Sequence, residues 1–296
     1  IYGPLSGSKG LQHTYLSMDL DFSGGELKVS MVPYLQELVD EFPDKISSPA
    51  STPATMHLFE EAVDPVLLDK EKAKVFHHIV AKTLWAALCA RPDLLTTLSF
   101  LTCKVKAPDK DDYKKLTQMI SYIKGTVDLP LTLSADRTSI VKWWVDASYA
   151  TRKDMRSQTG GTMLLGKGSI YSMSRKQKLN TTSSTEAELV AADDVMPQII
   201  WTRYFLQGQG VKVSHNVLHQ DNQSAILLEK NGLSLSSKRT RHVNVRFYFL
   251  KDRITAGEVE VQYCPTEQMI GDFFTKALQG KKSFFFQKTI MGESGE

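Results

Sequence analysis

Four acidic side chains stand at positions suited to holding a metal ion. Asp146 closes the apolar run Val141-Lys142-Trp143-Trp144-Val145, and Asp221 closes the run Val217 to Gln220. Ligands in open α/β sheets gather at such strand ends, so two neighbouring strands would bring both carboxylates together. Glu188 falls in the first turn of a long apolar-periodic segment, and Asp272 follows Met269-Ile270-Gly271 on a turn that must pack closely. A hard cation such as Mg²⁺ is held by a few carboxylates while water and phosphate oxygens fill its other positions. A pair of such ions ~3.5–4 Å apart can clamp an in-line phosphoryl displacement. Without a cation, four clustered carboxylates could not all stay ionised. Spacing alone leaves each of them a plainer role as a solvated charge or helix cap. Glu188, three residues after Thr185, also reads as the partner in a capping box.

The elements that must position these residues change character near Leu131. Before it, His13 to Phe22 and Glu26 to Met31 flank Ser23-Gly24-Gly25 as a hairpin. Apolar residues at three- and four-residue spacing then predict helices: Leu35, Leu38, Val39 and Phe42 after Pro33; Phe76 to Leu88, closed by Arg91-Pro92; and Tyr113 to Ile123, stopped by Gly125. This half reads as a helical bundle. After Leu131, β-branched and aromatic runs at Ile140–Val145, Thr162–Leu165 and Ile170–Met173 predict a three-strand meander. A helix toward Leu206, a strand to Asp221, helices over Asn222–Glu229 and Val243–Arg253, a strand over Val259–Cys264 and a helix over Glu267–Ala277 follow. The order βββαβααβα predicts a mixed sheet with helices on its faces.

The chain has 296 residues, 42% hydrophobic and 23% charged, which excludes a disordered or fibrous protein and allows about two domains. Three scattered cysteines, Cys89, Cys103 and Cys264, match neither a zinc motif nor a disulfide framework, so a reducing compartment is expected. No apolar run is long enough to span a bilayer and no secretory leader is visible, so neither a membrane nor a secreted protein is expected. The net charge of +3 hides an asymmetry, with 15 basic and 18 acidic residues through position 140 and 21 and 15 after it. A basic C-terminal half favours a polyanionic partner. Ile1 opens what reads as the middle of a sequence, so a piece of a longer chain is expected.

Six motifs in order carry a family resemblance: Asp146-Ala147-Ser148-Tyr149-Ala150, Arg156 to Gly161 (RSQTGG), Ser174-Arg175-Lys176-Gln177, Ser183 to Glu188 (SSTEAE), Asp221 to Ala225 (DNQSA) and Gly271 to Lys276 (GDFFTK). They resemble the ribonuclease H domain of copia-like LTR retrotransposon polyproteins. Tyr15-Leu16-Ser17-Met18-Asp19 is similar to the end of the reverse-transcriptase palm, and Ser51-Thr52-Pro53-Ala54, Arg91-Pro92-Asp93 and Tyr122 to Thr126 (YIKGT) resemble its thumb and connection. The resemblance implies a palm remnant over 1–31, thumb and connection helices over 32–130, a ribonuclease H-like five-stranded mixed sheet with flanking helices over 131–281, and a tail over 282–296.

By resemblance, Asp146, Glu188, Asp221 and Asp272 fall on the acidic positions that bind two Mg²⁺ ions, with Mn²⁺ able to substitute. The implied reaction is hydrolysis of the RNA strand of an RNA–DNA hybrid by water. Arg175, Lys176, Thr182, Ser183, Lys238, Arg239, Arg241 and His242 become the expected contacts to the hybrid, holding phosphates without reading sequence. The implied partners are the hybrid and the remaining palm and fingers of the polyprotein. The implied location is intracellular, in a cytoplasmic virus-like particle or the nucleus.

Two departures qualify the resemblance. The stretch Tyr263 to Glu267 lacks the mobile histidine that cellular ribonucleases H carry before the fourth acid. No paired-aspartate polymerase hairpin occurs, so the chain is not expected to polymerise DNA unaided. A decayed or host-reused nucleic-acid-binding relic is the alternative, although a binding module has no need of all four acids.

Overall fold

The structure, a computed structural model, describes residues 7, 9–231 and 241–293, without the side chains of residues 231, 241–245 and 247. Lys238 and Arg239 lie outside the described residues, as do the side chains of Arg241 and His242.

The chain opens with an antiparallel ribbon of β1 (Gln12–Tyr15), β2 (Met18–Asp21) and β3 (Leu27–Ser30). The expected hairpin thus has a further turn before it, at Leu16-Ser17, with φ of 50° and 66°. No glycine announces this turn, although left-handed turn positions usually carry Gly, Asn or Asp. Helices α1 (Val32–Asp40), α2 (Lys70–Cys89), α3 (Leu95–Leu101) and α4 (Lys110–Gly125) follow. The periodic residues Leu35, Leu38, Phe76, Ile79, Leu116, Met119 and Ile123 meet in one core. Asp69 caps α2, and Asp109 with Asp112 forms a reciprocal capping box at α4.

β4 (Leu131–Ala135) pairs antiparallel with β3, Leu131 opposite Val29, so it extends the N-terminal sheet. The second sheet begins with β5 (Ile140–Ser148) and β6 (Gln158–Leu164). After the two-residue β7 (Gly166–Lys167), which pairs with β4, come β8 (Tyr171–Lys176), α5 (Ser184–Gly208), β9 (His215–Gln220), α6 (Gln223–Asn231), α7 (Arg241–Thr255) and β10 (Glu260–Tyr263). The strand order is β10-β9-β5-β6-β8. β5, β6 and β8 are antiparallel neighbours, while β9 and β10 run parallel to β5. This is the five-stranded mixed sheet with flanking helices that the resemblance implies. Its core joins Val141, Trp143 and Val145 of β5 to Ala191, Val195 and Ile199 of α5 and Leu218 of β9.

One expectation needs correction. The predicted final helix is two short 3₁₀ turns, Thr266–Gln268 and Ile270–Phe274. All five residues from Ile270 to Phe274 are buried, so this stretch has no solvent side on which an amphipathic helix could rest. Trp201 shares α5 with Ile199 and Leu206, which pack in the core, but is 56% exposed and stacks on Phe205. The run Phe284-Phe285-Phe286 lies in α8 (Gly280–Met291), where only Phe286 is buried, together with Ile290 and Met291, in the helical core.

The two regions share buried polar contacts. Every residue of α3 is buried. Thr96 Oγ1 donates to the Phe273 carbonyl at 2.6 Å, and Ser99 Oγ receives Arg152 Nη2 at 3.1 Å and Gln158 Nε2 at 2.6 Å. From the sheet side, Ser174 Oγ donates to the Phe274 carbonyl at 2.6 Å, so the turn that carries Asp272 is fixed from both sides. Among the described residues no helix is long and apolar enough to cross a membrane.

Candidate metal centre

β5 and β9 are parallel neighbours, and α5 returns across the sheet so that its first turn meets their C-terminal ends. Asp146, Glu188 and Asp221 each place a carboxylate oxygen within 4.8 Å of the others. Asp146 and Glu188 are buried and Asp221 is partly open, so the cluster has one accessible side. Glu188 Oε2 is buried without a hydrogen-bond partner. An ionised oxygen left in that state costs several kcal/mol, on the order of the penalties for unpaired buried charge, unless a cation supplies the missing contact. The donors are all hard oxygens, and the residues present therefore fit an Mg²⁺-type ion.

The electrostatics follow from the same crowding. Burial, opposed by Lys276 and reinforced by Asp272 and Asp221, pushes the Asp146 carboxyl up to about 6. Burial, then Asp146 and Asp221, pushes Glu188 well above the usual carboxylate range, although the Ala147 amide opposes the shift. Here desolvation outweighs the adjacent lysine.

Glu188 is free for this role because another residue does the capping. Ser183 is the N-cap of α5 and its Oγ accepts from the Glu186 amide at 3.2 Å. Glu186 reaches back to the Thr182 amide and hydroxyl at 2.6 and 2.7 Å. The capping reading of Glu188 is thus replaced by Glu186, two residues earlier and on the exposed side.

Asp272 is buried next to Asp146 but does not join the three converging oxygens. Its Oδ1 lies 2.5 Å from Lys276 Nζ and its Oδ2 lies 2.6 Å from Lys282 Nζ. Lys276 Nζ is also 3.5 Å from Asp146 Oδ2, and Thr275 Oγ1 donates to that same oxygen. Two glycines permit the approach. A Cβ at Gly271 would come within 3.0 Å of Asp146 Cβ, and one at Gly160 within 2.7 Å of Phe274 Cβ and Thr275 Cγ2.

Residues that the sequence did not single out complete the setting. Gln177 Nε2 donates to the Ala187 carbonyl at 2.9 Å and Gln220 Nε2 to the Glu188 carbonyl at 3.5 Å, so two buried glutamines hold the first turn of α5. The spacing of Lys276, four residues after Asp272, is the signal that would have found it.

Four of the expected nucleic-acid contacts lie among the described side chains, Arg175, Lys176, Thr182 and Ser183. Arg175 and Lys176 are adjacent on β8 and so project to opposite faces. Arg175 pairs with Asp194 of α5 at 3.1 Å, and Lys176 with Asp154 of the β5–β6 loop at 2.5 Å. Thr182 and Ser183 are exposed beside the acidic cluster while serving the cap.

No family model matches the chain. It is 29% identical over 272 residues to a retrovirus-related Pol polyprotein from transposon TNT 1-94 of Nicotiana tabacum, which covers 90% of this chain and 20% of that protein. It is 26% identical over 274 residues to the Pol polyprotein from transposon RE2 of Arabidopsis thaliana and 24% identical over 280 residues to a Ty1-JR1 Gag-Pol polyprotein of Saccharomyces cerevisiae. The chain spans about a fifth of the length of these relatives. Among solved structures, an RNase H1 isolated from compost matches with a TM-score of 0.33 and 12% identity over 44% of this chain and 87% of that one. RNase H1 of Halobacterium salinarum matches with a TM-score of 0.28 and 13% identity over 43% and 86%. The similarity to copia-like Pol polyproteins thus extends from the six motifs to nine tenths of the chain.

Proposed function

We propose that this stretch of a copia-like Pol polyprotein is a metal-dependent ribonuclease H. It hydrolyses the RNA strand of RNA–DNA hybrids during reverse transcription inside the cell. The observation that carries the reading is the orphaned, buried Glu188 oxygen facing Asp146 and Asp221 at the ends of two parallel strands. Asp146, Glu188 and Asp221 would hold Mg²⁺ or Mn²⁺, with Asp272 as the adjoining fourth acid. Bound there, a divalent ion would supply a Lewis acid for a phosphodiester oxygen and a more acidic water.

The chain's own groups do the rest. Gln177 and Gln220 hold the α5 turn that aims Glu188. Thr275 orients Asp146 through its hydroxyl. Thr182 and Ser183, exposed at the N-terminus of α5, meet the hybrid backbone, where a helix N-terminus favours phosphate. Arg175, on the α5 face of β8, is proposed to lengthen this contact, and Lys176, on the opposite face, to meet the hybrid from the side of the β5–β6 loop. Lys238, Arg239, Arg241 and His242 are proposed to grip the duplex on the α6–α7 side. The helical region over 32–130, a thumb and connection by resemblance, backs the nuclease, with the missing palm and fingers supplied by the rest of the polyprotein.

Digestion of a labelled RNA–DNA hybrid with Mg²⁺ or Mn²⁺ tests the reading. Asp146→Asn and Asp221→Asn are each expected to lower the rate on the order of 10²–10³-fold or more, the scale of losing one charge-stabilising group. Cleavage that survives both substitutions would sink the assignment.

A further inference from the structure

The acidic site has an open part and a filled part. In the open part, Glu188 Oε2 has no partner. In the filled part, both oxygens of Asp272, which is only 1% exposed, are taken by Lys276 and Lys282. Lys276 does more than neutralise Asp272, because its ammonium also stands 3.5 Å from Asp146 Oδ2. One cation thus bridges two carboxylates. A second divalent ion shared by Asp146 and Asp272 would need that same place, and like charges so close repel strongly in a partly desolvated pocket.

We infer that Lys276 is a built-in occupant of the second cation position. It makes the site load in order, with one divalent ion at Asp146, Glu188 and Asp221 first and another only when the ammonium leaves. The inference rests on the nuclease reading and adds a regulatory step to it. Lys276 can leave because its side chain is 39% exposed and sits beyond the rigid Ile270–Phe274 turn. Lys282, anchored also to the Thr266 carbonyl at 3.1 Å, keeps Asp272 paired meanwhile. An incoming phosphodiester offers the displaced ammonium a new anion, so full loading is coupled to substrate. Lys276 is in this sense a positioning residue.

Calorimetric titration of the full chain with Mn²⁺ and no nucleic acid reads this apart from cleavage. Wild type is expected to take up one ion tightly and a second at least about tenfold more weakly. Lys276→Met is expected to tighten the second site by about tenfold or more. Lys276→Arg and Lys282→Met, which leave a cation beside Asp146, are expected to behave as wild type. Equal stoichiometry and affinities in wild type and Lys276→Met overturn the inference. Should that variant fail to fold, ¹⁵Nζ NMR of wild type decides. The Lys276 resonance should hold through the first equivalent of Mg²⁺ and shift with the second; a shift at the first, or none while two ions bind, overturns it. Wild type that takes up no ion at all removes the nuclease reading itself, whereas hybrid cleavage with unchanged Lys276→Met binding removes only the inference.

Discussion

The helical region and the C-terminal mixed sheet each bury acidic side chains, and they treat them in opposite ways. In the helical region Arg91 grips Asp93 through two bonds of 2.9 and 2.8 Å. Tyr122 donates to Asp93 at 2.7 Å, Gln287 to the Tyr122 oxygen at 3.0 Å, and Arg91 Nη1 to the Thr126 carbonyl at 2.8 Å. Neither Arg91 nor Asp93 is exposed to solvent. In the mixed sheet, Asp146 and Glu188 are almost as deeply buried, yet they face each other and Asp221, and one oxygen is left bare. Burial is common to both clusters, so burial does not mark a site. What distinguishes the second is carboxylates gathered without enough protein cations, an arrangement that persists for a ligand rather than for the fold.

The largest effect expected from this contrast is a reversal of sign. Asp93→Asn should destabilise the chain by about 3–5 kcal/mol, because it strands the Arg91 charge in the core. Asp146→Asn should leave the metal-free protein equally stable or more so, because it relieves repulsion. Denaturant titration of both variants without divalent ions checks this; similar losses for the two would erase the distinction.

A pH profile sharpens the same contrast. Asp146 is held at about 6 against an ordinary 3.8, and Glu188 is shifted in the same direction. The folded state therefore binds these protons more tightly than the unfolded state. For Asp146 the resulting stability is fully present below about 3.8 and is lost as pH rises through about 6, and Glu188 contributes with the same sign. A saturating divalent ion, at a hundredfold its dissociation constant, should restore about 2–3 kcal/mol above that range. Thermal melts at pH 4.5 and 7.5, with and without Mg²⁺, measure it. An Mg²⁺ effect as large at pH 4.5 as at pH 7.5 would contradict the assignment of these groups as ligands.

Much of this was legible in the sequence because it rests on local signals. β-branched and aromatic runs gave β5, β6 and β8, and strand-end acids gave Asp146 and Asp221. The Arg91-Pro92-Asp93 block was visible as a motif, but its role as a buried ion pair was not, because Tyr122 and Gln287 reach it from distant helices. The Thr266–Phe274 stretch misled for a related reason: its geometry is imposed from outside by α3 and by the bare backbone at Gly160. Lys276 and Lys282 escaped notice because a lysine's function here depends on which carboxylate its long stem meets. Glu188 was ambiguous between cap and ligand until Glu186 was seen to make the cap bond.

Glu229 offers the smallest and most local test of what unpartnered burial means. It lies in α6, wholly buried, with neither oxygen bonded. Burial, opposed by Lys230, pushes its carboxyl up to about 8 from an ordinary 4.5. The sign is that of a raised acid: its protonated form favours folding fully below about 4.5, and the benefit drains away up to about 8. Unlike Asp146 and Glu188, Glu229 belongs to no group of potential metal ligands among the described residues. Glu229→Met should therefore stabilise the chain by about 1–3 kcal/mol at pH 8.5 and by less at pH 5, with hybrid cleavage unchanged. Chemical denaturation at the two pH values measures the difference. A variant less stable than wild type at pH 8.5, or one that loses cleavage while folded, would mean that Glu229 has a partner of its own and belongs with the functional acids.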